Sequence, residues 1–149
     1  MTVAWRRFRA LPADDRRLVM QAALLLVVAW AGLRVASYQR VLRLLERRGR
    51  RGAGMDAETA AERTGWAVEA AAKRSPMPMT CLGRALAAHG MLRQRGLPSQ
   101  LRLGVRVRGA RPARALESHA WVQCGNRLVV GQLPDLDSYS MLSAPGVQR

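Results

Sequence analysis

Two short motifs in this chain carry side chains that could perform covalent chemistry. Cys81 follows Thr80 at the predicted start of a helix, and His119 lies in a predicted strand further along. The partial positive charge at a helix N-terminus favours the thiolate form of a thiol. A histidine on a neighbouring strand could accept the thiol proton and later release it. The pair therefore predicts acyl transfer through a thioester.

A Cys–His pair of this kind needs a third polar group that orients the imidazole. Beyond the third predicted strand, which follows His119, the sequence offers Gln132, Asp135 and Asp137. We predict that Asp135 is this third member, with Asp137 and Gln132 as alternatives. Glu117 is less favoured, because it shares the strand face only as a neighbour two residues before the histidine. The chemistry requires no bound cofactor.

The remaining cysteine and histidine are predicted to be structural. Cys124 falls on the strand face opposite His119, where a small core residue is expected. His89 lies about two helical turns from Cys81, too far away to serve as its base. A zinc site made of these four side chains is disfavoured, because neither C-x-x-C nor H-x-x-x-H occurs in the sequence. We therefore predict no metal site.

The elements before these motifs are predicted to form an N-terminal helical arm. Residues 18–33 are apolar but fewer than the about 20 needed to span a bilayer. We expect a helix buried against the fold or a partner, with peripheral membrane contact as the alternative. An amphipathic helix continues over 35–48, and a Gly- and Arg-rich link follows at 49–54. We therefore predict a basic helical arm over 1–52 and a second domain over 55–149.

The second domain is predicted to hold helices followed by an antiparallel sheet. Asp56 and Thr80 are good N-caps for two helices, and Gly96 ends the second of them. From there the hydrophobic period changes to two, which predicts strands over 101–108, 118–124 and 127–130. This order indicates an α+β fold.

Composition narrows the functional classes further. The formal net charge is +15, which attracts anionic partners. Zinc-finger spacing and a basic region with heptads are both lacking, so we predict no specific nucleic-acid recognition. Two cysteines suit a reduced cytoplasmic protein better than a disulfide framework. The alternative to an enzyme is a non-catalytic basic protein that binds peptide, membrane or nucleic acid.

Four spaced motifs resemble a known family. They are Cys81-Leu-x-Arg-Ala-Leu-Ala, Leu92-Arg-x-Arg-Gly96, Leu101-Arg-Leu-Gly-Val105 and His119-Ala-Trp-Val122. Together they resemble the stand-alone peptidase part of lasso-peptide biosynthesis B proteins, over residues 55–140. That microcin-processing family belongs to the transglutaminase-like, papain-related superfamily. The resemblance implies a transglutaminase-like core behind the N-terminal helical arm.

The resemblance also implies an activity and partners. It implies a cysteine protease that removes the leader from a ribosomally made precursor peptide, with Cys81 as nucleophile and His119 as base. Val130-Gly131-Gln132 stands where a polar or acidic residue is often found, so the three candidates for the third member stay open. A small leader-binding protein would present the precursor, and a lasso cyclase that uses ATP would close the macrolactam ring.

Overall fold

The computed structural model describes residues 3–46, 56–110 and 115–142. Within them the helices come first: α1 (Val3–Arg9), α2 (Ala13–Val35), α3 (Tyr38–Leu45), α4 (Ala57–Arg74) and α5 (Cys81–Gln94). The strands follow: β1 (Gln100–Arg108), β2 (Ala115–Cys124), β3 (Arg127–Val130) and β4 (Ser140–Met141), with a short 3-10 turn at Leu136–Ser138. The predicted α+β fold, with helices before an antiparallel sheet, is confirmed.

The sheet has four strands in the order β3-β2-β1-β4, and every pairing is antiparallel. The β1–β2 pair is the long one, and it sets Gly104 directly opposite His119. Gly104 also pairs with Met141 on its other side. Strand β3 pairs only with the last three residues of β2, beginning at the Val122↔Val130 pair. The register shifts between Val122 and Gln123. The chain that leaves β3 is therefore free to cross beside the middle of β2.

Side-chain caps place the starts of the two helices that carry the site. Asp56 accepts a hydrogen bond from the backbone N–H of Thr59 at 2.8 Å and begins α4. The hydroxyl of Thr80 accepts from the N–H of Gly83 at 3.1 Å and begins α5. Each cap satisfies a backbone donor that has no partner within its own helix. Both helix starts agree with the sequence prediction.

The N-terminal helices differ from the predicted continuous amphipathic helix over 35–48. Helix α2 ends at Val35, Ala36 is extended, and α3 begins only at Tyr38. This break turns the chain, so that the buried side chains Val41 and Leu45 of α3 reach α2 and α5. A single straight helix could not have buried both. The predicted link at 49–54 lies outside the described residues.

Helix α5 lies at the centre of the molecule, with α2, α3, α4 and the sheet packed around it. A helix surrounded in this way is apolar on every side, and the whole run from Ala85 to Leu92 is buried. Helix α2 packs on α4 and α5 through its buried face, which consists of Leu18, Val19, Ala22, Leu25, Leu26 and Ala29. That face belongs to the same hydrophobic cluster as the sheet residues Ala120 and Val122.

Candidate active site

Cys81 is the first residue of α5 and its thiol is free and partly exposed. The proline-containing segment before it cannot continue α4, so the chain must restart at the Thr80 cap. Among the described residues, the backbone N–H groups of Cys81 and Leu82 have no hydrogen-bond acceptor. Unpaired donors at a helix N-terminus favour a nearby anionic oxygen. The thiol therefore lies beside backbone groups that could stabilise an oxyanion.

His119 lies in the middle of β2, and its Nε2 atom is 2.8 Å from the carbonyl oxygen of Gly131. A carbonyl oxygen can only accept a hydrogen bond, so Nε2 must carry the proton. In the neutral ring Nδ1 is then the acceptor. The hydrogen bond to Gly131 thus fixes which ring nitrogen of His119 can take a proton.

One pocket of about 410 Å³ brings Cys81 and His119 together. Its remaining lining residues come from α4, from the start of α5 and from the chain after β3: Glu69, Met79, Arg84, Gly131, Gln132 and Leu133. No hydrogen bond joins the thiol to the imidazole within the described residues, and such contacts are often long in the absence of substrate. The thiol and the imidazole therefore line the same space, which is where a substrate carbonyl would have to bind.

An ion pair forms part of the pocket wall. A guanidinium nitrogen of Arg84, one turn after Cys81, lies 3.2 Å from the carboxylate of Glu69. The Nε atom of Arg84 is buried and has no partner among the described residues.

Gly131 can only be glycine at its position. Its backbone φ is +88°, in the left-handed region that side chains disfavour. A Cβ atom there would lie 2.6 Å from the carbonyl oxygen of Ala120 and 2.6 Å from the Cβ of Trp121. This close approach to β2 is what brings the Gly131 carbonyl to His119. The sequence prediction missed it, and the only signal was a glycine directly after a strand.

Aromatic side chains flank the imidazole. The His119 ring centroid is 6.1 Å from that of Trp121 and 5.7 Å from that of Tyr139. Trp121 and Tyr139 are both buried, and both lie over Gly104, where a Cβ would come within 2.9 Å of each of them. The ring of His119 therefore has defined neighbours on the strand and on the loop before β4.

The predicted third member, Asp135, is bound elsewhere. Its carboxylate accepts a hydrogen bond from Arg106, which also contacts Glu117 at 2.6 Å and stacks over Tyr139. The Arg106 guanidinium lowers the pKa of both carboxyl groups, chiefly through these hydrogen bonds. The structure therefore does not bring Asp135 to His119.

The two alternatives are not hydrogen-bonded to the histidine either. Gln132 lines the pocket, but its side-chain amide donates to the carbonyl of Leu128 at 3.2 Å. Asp137 is exposed in the 3-10 turn. Within the described residues, the His119 ring is hydrogen-bonded only to the Gly131 carbonyl.

The other cysteine and histidine lie away from the pocket. His89 is buried, and its ring nitrogens bind Glu46 at 2.9 Å and the Ser99 hydroxyl at 2.7 Å. Cys124 is buried at the end of β2, and this burial raises the pKa of its thiol. In the part of the chain that the structure describes, no group of three or more His, Cys, Asp or Glu side chains could hold a metal ion.

Comparison with known proteins gives one family. The model of the transglutaminase-like superfamily matches residues 23–144, a range that runs from within α2 to just beyond β4 and contains both Cys81 and His119. No curated protein and no solved structure matches the chain significantly.

Proposed function

The chain belongs to the transglutaminase-like superfamily, and on that premise we propose that it is a cysteine peptidase acting on a lasso-peptide precursor. The superfamily includes cysteine proteases. The observation that carries the proposal is one pocket lined both by a thiol at a helix N-terminus and by a histidine whose Nδ1 has no hydrogen bond among the described residues. The motif resemblance supplies the substrate class, a ribosomally made precursor with a leader peptide.

The first half-reaction forms a thioester. The proton of Cys81 moves to Nδ1 of His119, and the thiolate sulfur bonds to the carbonyl carbon at the leader–core junction. The carbonyl oxygen becomes an oxyanion, stabilised by the N–H groups of Cys81 and Leu82. As the carbon–nitrogen bond breaks, the imidazolium gives its proton to the leaving amine. That amine is the new N-terminus of the core peptide.

The second half-reaction releases the leader. His119 takes a proton from water, whose oxygen attacks the thioester carbon, and the carbon–sulfur bond breaks. The departing thiolate of Cys81 recovers the proton from the imidazolium, which restores the starting state. Transfer of the acyl group to an amine instead of water would follow the same first step.

Partners complete the proposed pathway. A small leader-binding protein presents the precursor, and a lasso cyclase that uses ATP joins the freed amine into the macrolactam. The proposed peptidase itself needs no cofactor, because the thiol and imidazole supply both the nucleophile and the proton carrier. A reduced cytoplasm would keep the free thiol of Cys81 active.

The second candidate is a non-catalytic basic binding protein on the same fold. The net charge of +15 favours it, because such a surface attracts peptide, lipid or nucleic-acid anions. In that case the pocket thiol would be inert, and substitution of Cys81 would leave binding unchanged.

Cleavage of the precursor in the presence of its leader-binding protein tests the proposal. We expect Cys81→Ala to abolish leader removal, with a loss of at least about a thousandfold. Cys124→Ala is the matched control, because this buried thiol lies outside the pocket, and we expect it to retain most activity. Equal rates for the two variants, followed by mass spectrometry of the core peptide, would refute the assignment.

A further inference from the structure

We propose that the main-chain carbonyl of Gly131 is the positioning group for His119, in the place that a side-chain carboxylate was predicted to occupy. The proposal rests on the proposed peptidase function, because the orientation of the ring matters only if His119 carries protons. Its distinguishing feature is that the third group of the site is a backbone atom. The juxtaposition is direct: Nε2 lies 2.8 Å from the carbonyl oxygen.

The carbonyl is held in place from both sides. On one side β3 ends at Val130, which pairs with Val122 of β2. On the other side Arg106 binds both Asp135 and the Ser138 hydroxyl, and so fastens the following loop to β1. Between these anchors the backbone of Gly131 packs against β2 so closely that no Cβ fits. The acceptor is therefore preorganised without a side chain of its own.

A neutral acceptor has a specific consequence for the reaction. A carbonyl orients the ring and selects the Nε2–H tautomer as a carboxylate would. A carbonyl carries no charge, so what it contributes is the orientation of the ring and not a counter-ion for the imidazolium. Asp135 cannot take over this role without leaving Arg106. Arg106 thus keeps Asp135, the carboxylate that was predicted first for this role, away from His119.

Two glycine substitutions test the proposal on the full chain. We expect Gly131→Ala to lower kcat/KM by at least about tenfold, because displacement by a fraction of an ångström is costly in catalysis. Gly125→Ala is the matched control: its φ is also positive, at +59°, but a Cβ there meets nothing within 4 Å. Unchanged kinetics in Gly131→Ala, or an equal loss in both variants, would overturn the proposal.

A second measurement needs neither the Gly131 variant nor catalysis. Nitrogen-15 NMR of histidine-labelled protein reports the tautomer of each ring, and His89→Asn identifies the signal of the other histidine. We expect the Nε2–H tautomer for His119 in the unsubstituted chain. The Nδ1–H tautomer would overturn the role of Gly131 and leave the peptidase proposal to the precursor assay. Failure of the peptidase proposal would instead show as retained cleavage in Cys81→Ala.

A different observation carries a second inference: we propose that the outer face of α1 and α2 docks on an anionic lipid surface. Met20 and Leu24 of α2 are 62% and 63% exposed, and Trp5 of α1 is 49% exposed. Beside them lies an apolar groove of about 520 Å³, lined by Phe8, Val27, Met77 and their neighbours. Large exposed apolar patches of this kind mark interaction sites.

Charge argues for an anionic surface as the occupant. The groove is also lined by Lys73 and Arg74, and no acidic residue lines it among the described residues. Arg6, Arg7 and Arg9 lie on α1 beside it. An apolar face bordered by basic side chains is the pattern of helices that lie in a membrane interface.

Helix α2 is better suited to lie in a membrane interface than to cross a membrane. Its length and composition would allow a membrane span, because the mean hydropathy of its most apolar 18-residue segment is 2.0. Yet 33% of that segment is buried against the rest of the protein. A helix with one face in the core can present only its other face to lipid.

Vesicle co-sedimentation tests the docking. We expect the chain to bind phosphatidylcholine vesicles containing phosphatidylglycerol, and to bind vesicles of phosphatidylcholine alone at least about tenfold more weakly. Leu24→Glu should cause a similar loss, whereas Leu116→Glu should not, although Leu116 on β2 is 73% exposed. Equal binding by the two variants, or binding only to a purified leader-binding protein, would overturn this inference.

Discussion

At the residue scale, the site depends on close packing around one imidazole. His119 on β2 pairs with Gly104 on β1, and the side chains of Trp121 and Tyr139 lie over that glycine. Gly131 then approaches from the chain after β3. Two glycines therefore provide the space that lets aromatic rings and a carbonyl surround the histidine. At both positions a larger side chain would collide with the groups that surround the histidine.

Gly104→Val tests this packing. A Cβ at Gly104 would come within 2.9 Å of both Trp121 and Tyr139, so we expect a loss of about 1–3 kcal/mol in the free energy of unfolding. Urea denaturation measures it. Val107→Ala on the same strand is the control, because Val107 is exposed and should change stability by no more than about 0.5 kcal/mol. Equal unfolding midpoints for the two variants would contradict the packing described.

Asp135→Asn separates the two accounts of the third group. Because Asp135 binds Arg106, we expect precursor cleavage to stay within about tenfold of the unsubstituted chain. A carboxylate that oriented the histidine would cost on the order of 10⁴-fold when converted to the amide. Steady-state cleavage rates decide between them. A loss of that larger size would show that Asp135, and not Gly131, orients the His119 ring.

From the sequence we predicted Cys81 and His119, which line one pocket, but not the Gly131 carbonyl that is hydrogen-bonded to His119. Cys81 and His119 have recognisable chemistry, and a helix cap and strand alternation reveal their settings. A backbone carbonyl exists at every residue, so the hydrogen bond between Gly131 and His119 depends on where the chain passes beside β2. Asp135 looked suitable because only its side chain was visible in the sequence, whereas its partner Arg106 is distant in the chain.

At the element scale, prediction worked where local rules decide the structure. As expected, α4 and α5 begin directly after their caps at Asp56 and Thr80. The chain turns at Gly96 just after α5, with a left-handed φ of 71°. The break after Val35 was missed, because only tertiary packing of α3 requires it. Strand β4 was missed as well, because two residues are too few to show an alternating hydrophobic pattern. They form a strand only by pairing with β1.

His89 joins three segments of the fold and should make stability depend on pH. It lies on α5 and binds Glu46 after α3 and Ser99 before β1. Burial lowers the pKa of His89 below its usual value, although Glu46 opposes this. The folded state therefore resists protonation, and stability present above the unfolded pKa of about 6.5 falls as pH drops below it.

Unfolding measured between pH 8 and pH 5 checks this dependence. We expect a slope of up to about 1.4 kcal/mol per pH unit below about pH 6.5 from this group. His89→Asn should be less stable at pH 8 but should lose less on acidification. Parallel curves for the two proteins would contradict the burial of a neutral histidine.

At the scale of the whole molecule, α2 and α3 pack against the helices that position the candidate site. The family match begins at residue 23, within α2, and α2 packs on both α4 and α5. The sequence predicted an arm because the hydrophobic stretch and the basic link stand out in composition. The sequence also predicted that the apolar stretch 18–33 is buried against the fold or a partner, and Leu25 and Leu26 are indeed buried in the hydrophobic cluster.

Deletion of residues 1–52 should therefore unfold the remainder. It would expose the apolar faces of α4 and α5 that α2 covers, and we expect loss of cooperative thermal unfolding by circular dichroism. Deletion of residues 1–10 is the control, since it removes α1 and leaves α2 in place. A folded, cooperative 53–149 fragment would show instead that the arm is dispensable for the fold.

The central claim is that His119 activates Cys81 as the nucleophile, and thiol alkylation followed by peptide mapping tests it most directly. At pH 7 with iodoacetamide, we expect Cys81 to react first, with precursor cleavage lost at the same rate. His119→Ala should slow that labelling by at least about tenfold. Cys124 should stay unmodified, because burial hinders access and raises the pKa of its thiol. Labelling of Cys81 that is indifferent to His119, with cleavage surviving it, would contradict the account.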